Sequence, residues 1–96
     1  MKFLVLWRIE LSLLSKEMAG AVARMSDYGA ELQDSGKVLH RYHVIGAHGG
    51  AWIYDVDSHE EFEFLLARAP VFNFARYEVL PLAEMSAPPI RPRSVP

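Results

Sequence analysis

The order of periodicities along this chain predicts an α+β fold, a four-stranded antiparallel sheet with two helices on one face. Three observations carry that reading. Stretches of period two and stretches of helical period follow one another as strand, helix, strand, strand, helix, strand. Capping residues stand at the head of both helical stretches. The middle pair of strands is joined across Gly46-Ala47-His48-Gly49-Gly50, whose glycines permit positive φ and a bulged turn.

Each element has its own signal. From Phe3 to Leu11, the residues Phe3, Val5, Trp7, Ile9 and Leu11 share one face, and Leu4, Leu6, Arg8 and Glu10 share the other. This start is only superficially like a secretory leader, because Lys2 alone precedes the apolar run while Arg8 and Glu10 interrupt it. It is also too short and too charged to cross a bilayer, so a strand of a soluble, cytoplasmic protein is expected. Ser12 or Ser15 caps the next segment. Between Lys16 and Asp34, Met18, Val22, Met25 and Leu32 recur at helical spacing, with Ala21 and Tyr28 or Gly29 completing the stripe. Gly36 supplies the stop.

Strands follow at about 38–45 and 51–56. Ser58 with Glu61 three positions on forms a capping box. Phe62, Leu65, Leu66 and Ala69 give the second helix its stripe, and Pro70 ends it. Alternation returns over 76–82. This order is the ferredoxin-like split βαβ arrangement. Residues 1–85 then form one domain, and the Pro-rich stretch 86–96 is an extended tail, either loose or strapped across a neighbouring subunit.

Composition narrows the function. Apolar residues make up 51% of the chain and aromatics 11%, more than a small monomer readily hides. A subunit interface, a ligand cavity or both are expected. Phe3, Val5 and their neighbours are read as the uncovered sheet face, which a second subunit would cover, giving a homodimer or larger homo-oligomer. The net charge of -2 and pI near 6.0 give no electrostatic case for nucleic acid or an anionic membrane. With no cysteine, disulfides and thiolate chemistry are excluded.

The stretch from Lys37 to Val56 is the richest in chemistry. His40, Tyr42 and Val44 alternate with Arg41, His43 and Ile45, so a strand sends the two sets to opposite faces. A titratable ring beside apolar neighbours can line a pocket that moves protons. The same pattern also suits an ordinary sheet with a few satisfied polar groups. His43 reads as an interface residue if its face meets a partner, His48 as a bend residue able to close over a ligand, and His59 as solvated. No metal is expected, since His40 and His43 point apart. Tyr28, Tyr42, Trp52 and Tyr54 form either an aromatic wall or plain core. Arg8 and Arg76 hold an anion or pair with Glu10 or Glu78. Asp27 is the acid on the inner half of the first helix, and an alternative base.

These residues resemble the muconolactone isomerase family of dimeric α+β barrel proteins. The resemblance is carried by Gly36, His40-Arg41-Tyr42, Gly46, Tyr54-Asp55-Val56, Ser58 and Ala69-Pro70-Val71-Phe72. It covers about residues 1–85 in pattern and is close over 36–82. It implies a cofactor-free enzyme that isomerises a small unsaturated lactone by moving a proton, assembled through sheet-to-sheet dimers. His40 coincides with a family histidine, which makes it the expected general acid/base. The family's first helix is rich in Lys and Glu, and here Arg24 and Asp27 alone remain of that pattern. Val22 and Met25 in place of those charges imply a larger, more apolar pocket, completed by Tyr28, Trp52 and Tyr54. Relatives of the fold that act as cyclases or cofactor-free monooxygenases on polyketide-like molecules widen the class. A non-catalytic ligand-holding or assembly module is the alternative.

Overall fold

The structure, a computed structural model, describes residues 1–85, so the expected tail at 86–96 lies outside the described residues. The strands are β1 (Lys2–Ile9), β2 (Val38–His43), β3 (Gly49–Asp55) and β4 (Ala75–Leu82), and the helices α1 (Lys16–Asp34) and α2 (His59–Arg68). They form one antiparallel sheet in the order β2-β3-β1-β4, the ferredoxin-like arrangement. β1 is shorter than its alternation implies. Glu10 N–H donates to the Phe74 carbonyl, and the chain then turns out of the sheet through a 3-10 turn at Leu11–Leu13.

Both helices begin where the side chains predict. Ser15 Oγ accepts from Met18 N–H at 3.1 Å, and Ser58 Oγ accepts from Glu61 N–H at 3.0 Å. The Glu61 carboxylate reaches back to Asp57 N–H at 2.8 Å and also meets Lys37 Nζ at 2.9 Å. Gly36, at φ 80°, turns the chain after α1, and Lys37 N–H then satisfies the Leu32 carbonyl.

The core lies between the sheet and the helices. Phe3, Val5 and Ile9 of β1, and Trp52 and Tyr54 of β3, pack against Met18, Ala21, Met25 and Leu32 of α1. From α2, Phe62 stacks on Phe3 with centroids 4.2 Å apart. The expectation that Phe3, Val5 and Trp7 form the uncovered face is therefore corrected, because the helices cover that face. The open face carries the alternate set. His40, Ile53, Leu4 and Leu80 line up across all four strands, and Tyr42, Ala51, Leu6 and Glu78 form the next row.

One irregularity sets the chemistry. Val38 pairs with Tyr54, but the next paired residue, His40, faces Ile53, so Leu39 is an extra residue in β2. A bulge of one residue reverses the faces of everything after it. Val38 points to the helices, as do Arg41 and His43, while His40 and Tyr42 point to the open face.

Ser58→Ala is expected to lower the unfolding free energy by about 1 kcal/mol, read from the denaturant midpoint. The Asp57 N–H, and then Lys37, hold the Glu61 carboxyl below its ordinary value of 4.5. A depressed folded value gives stability that is present above the unfolded pKa and lost as pH falls through the folded one. Glu61→Gln should therefore be less stable than the parent at neutral pH, and that difference should shrink in acid. A difference that stays constant with pH would contradict this role for the carboxylate.

Candidate functional site

Against the helix-facing side of the sheet, beside α1, lies a cavity of about 360 Å³. Val22, Met25 and Ser26 of α1 form one wall, and Trp7 and Trp52 supply aromatic surface from β1 and β3. Arg41 and His43, brought round by the bulge, reach it from β2. His43 is directly opposite Gly50 in the β2–β3 ladder, so no side chain stands across from its ring.

Arg41 is held from three sides. Its Nε donates to Gln33 Oε1 at 2.7 Å and its Nη1 to the Ser26 carbonyl at 3.2 Å, and the guanidinium lies 5.6 Å from the Trp52 ring centroid. A Cβ at Gly29 would stand 2.5 Å from Arg41 Nη1 and 2.7 Å from Trp52 Cη2, so this glycine makes the slot that Arg41 occupies. Among the described residues Arg41 has no carboxylate partner. A fixed cation without a counter-charge is suited to an anionic ligand.

Trp7 is the second unusual member. Its indole Nε1 is buried and has no acceptor, a state shared among the described residues with the Tyr77 hydroxyl. Leaving a buried donor unmatched costs about 1–3 kcal/mol. Burial, and then the nearby Tyr28, push the Tyr77 phenol up to about 12, so it stays neutral.

The residues expected at one site are divided among several places. Val22, Met25 and Trp52 line the cavity, which Tyr42 borders with its backbone carbonyl while its ring lies on the open face. His40 does not join them, because the bulge turns its ring to the open face, where it stacks on Tyr42 at 6.2 Å. Asp27 is exposed on α1 and does not line the cavity. The Tyr28 hydroxyl donates to the Leu65 carbonyl at 2.6 Å and ties α1 to α2. Tyr54 is buried in the core, where desolvation raises its phenol strongly. His48 is exposed in the β2–β3 bend beside a shallow depression lined by Arg8 and Ile9. Arg76 pairs with Glu10 and borders a third hollow of about 210 Å³ with Leu6, Arg8 and Glu78. Arg41, His43, Trp7 and Gln33 also line the cavity, and no spacing in the sequence points to them there. Arg41 and His43 were legible as sharing a face, but not as sharing this one.

A family model described as muconolactone delta-isomerase matches residues 1–87. The muconolactone delta-isomerase of Cupriavidus pinatubonensis is 39% identical over 62 residues, 65% of this chain and 67% of that one. That of Rhodococcus opacus is 32% identical over 63 residues, 66% and 68% respectively. The crystal structure of muconolactone isomerase superposes with a TM-score of 0.79 at 20% identity, over 95% of this chain and 97% of that one. A 5-chloro-2-hydroxyhydroquinone dehydrochlorinase of Burkholderia phenoliruptrix AC1100, solved with 2,5-dihydroxybenzoquinone, gives a TM-score of 0.64 at 15% identity, over 88% and 96%. These two structures share the fold.

Gly29→Ala is expected to drive Arg41 off Trp52 and to lower stability, because the added Cβ also meets the buried Trp52 ring at 2.7 Å, a clash that outweighs the gain of about 1 kcal/mol in helix propensity over glycine. The tryptophan emission spectrum should change as it does in Arg41→Ala. An unchanged spectrum in Gly29→Ala, alongside a changed one in Arg41→Ala, would show that the slot is not needed.

Proposed function

The chain belongs to the muconolactone delta-isomerase family, and from that premise we propose that it isomerises a small unsaturated lactone bearing a carboxylate. One observation supports this above the others. The cavity beside α1 brings a titratable ring, His43, and a prearranged cation, Arg41, to walls that are otherwise largely apolar. Arg41 receives the carboxylate of the substrate. His43 takes a proton from the saturated carbon next to the C=C that is conjugated with the lactone carbonyl, and the C–H electron pair passes into a dienolate. The imidazolium then returns that proton to another carbon of the same system. One C–H bond breaks and one forms, so the reaction is redox-neutral. The family and the named relatives favour isomerisation over the cyclase and monooxygenase readings.

Muconolactone is the first substrate to offer, with its conversion followed by proton NMR. His43→Gln should lower kcat by about 10² to 10⁴, while His40→Gln, on the far face, stays close to the parent. Failure of the parent to convert muconolactone, or full activity in His43→Gln, would refute the assignment.

We also propose that a second copy covers the open sheet face. Leu4, Leu6, Ala51 and Ile53 are only half-buried there, and Leu80 and Leu82 are exposed. Covering such surface is worth roughly 25 cal/mol per Å² of apolar area. Leu6→Lys places a charge in the middle of this face and should give a monomer in sedimentation velocity, where the parent is a dimer. A monomeric parent at micromolar concentration would disprove the assembly.

A further inference from the structure

Arg41 is fixed entirely by neutral groups, and most of them come from one stripe of α1. Ser26, Gly29 and Gln33 follow one another at spacings of three and four, so they share a face of the helix. Ser26 offers its carbonyl to Nη1, Gly29 leaves the slot, and Gln33 presents its amide oxygen to Nε at 2.7 Å. The Trp52 ring closes the cradle from β3.

Gln33 makes a second contact. Its Nε2 donates to the Leu39 carbonyl in a long bond of 3.5 Å. A guanidinium N–H only donates and a carbonyl only accepts, so the two partners fix which end of the amide faces each. Leu39 is the extra residue of the bulge, left outside the ladder. One amide therefore ties the end of α1 both to the step that turns Arg41 toward the cavity and to the guanidinium itself. Gln33 is exposed and stands at the cavity wall.

The neutrality of this acceptor matters more than its strength. A carboxylate in the same place would hold Nε more firmly and cancel the charge. The amide orients the guanidinium and leaves its charge uncompensated. Among the described residues, the N–H groups on Nη2 have no acceptor. A ligand carboxylate needs both features, free donors and a net positive charge.

We propose that Gln33 is a positioning residue that makes the cavity select carboxylate-bearing lactones over their neutral counterparts, by holding Arg41 in place without neutralising it. The lactone in this statement rests on the isomerase reading above, and the carboxylate on the geometry of Arg41.

The test uses the saturated counterpart of muconolactone, which keeps the lactone and the carboxylate but has no C=C to isomerise, and its methyl ester. Calorimetry on the parent should show tighter binding of the acid than of the ester. Gln33→Glu keeps the size and the acceptor. It should weaken binding of the acid by about fivefold, the scale of a partly exposed charge pair, and leave the ester unchanged. Gln33→Met removes the acceptor at similar length. It should move the tryptophan emission toward that of Arg41→Ala and raise KM for muconolactone while kcat stays close to the parent, the pattern of binding lost equally from ground and transition states. Gln33 is exposed, so both variants should melt near the parent. Equal binding of acid and ester by the parent, parental acid binding in Gln33→Glu, or parental KM in Gln33→Met overturns the proposal. An equal loss for acid and ester in Gln33→Glu also overturns it, because Gln33 then only shapes the wall. If the parent converts muconolactone but Gln33→Glu keeps the parental preference for the acid, the positioning role falls and the isomerase reading stands. If Gln33→Glu loses that preference but the parent does not convert muconolactone, the positioning role stands and the isomerase reading falls.

Discussion

A single extra residue in β2 governs what the rest of this molecule can do. Between Val38 and His40 the strand gains Leu39 without advancing its pairing with β3. Every later side chain of β2 is thereby moved to the opposite face. Without that step His40 and Tyr42 would enter the space beside α1, and Arg41 and His43 would lie outside. With it, a guanidinium and an imidazole stand beside two indoles. The phenol and the other imidazole are left on the face that no helix covers.

The cavity exists because small residues thin its walls at chosen points. Gly29 lets Arg41 pass between α1 and Trp52, and Gly50 lets the two indole nitrogens close in on the β3 backbone. Elsewhere the same layer is filled by large side chains, such as the stacked pair Phe3 and Phe62. The Trp7 N–H breaks the rule that buried donors are matched, although the polar groups at the helix caps obey it. Such local exceptions to otherwise consistent packing are expected beside functional sites.

The two faces of the sheet divide the work. The covered face holds the core and, at its β2 side, the cavity. The open face has rows of leucine, isoleucine and alanine flanked by His40 and Tyr42. That division explains how a chain of this length can be 51% apolar. Part of the excess forms a core, part walls the cavity, and part lies on the open face. His40, expected as the acid/base, stands on the open face, and His43, expected at an interface, stands on the helix-facing side beside the cavity.

Local chemistry alone determined the element order, both helix starts, the glycine stop after α1 and the grouping of side chains within each strand. Ser15, Ser58, Glu61 and Gly36 act on neighbours a few residues away, so their effect is legible in the sequence. The family was legible too, from Gly36, His40-Arg41-Tyr42 and Ala69-Pro70-Val71-Phe72. Tertiary structure decided which face each group meets. Alternation states only that neighbours point apart, and the absolute direction comes from register with another strand. No glycine or proline at position 39 announces the bulge. Helical spacing alone makes Tyr28 a wall residue, whereas its hydroxyl bonds the Leu65 carbonyl, 37 positions away. The paired indoles likewise depend on β1 lying beside β3, a neighbourhood that spacing along the chain does not express.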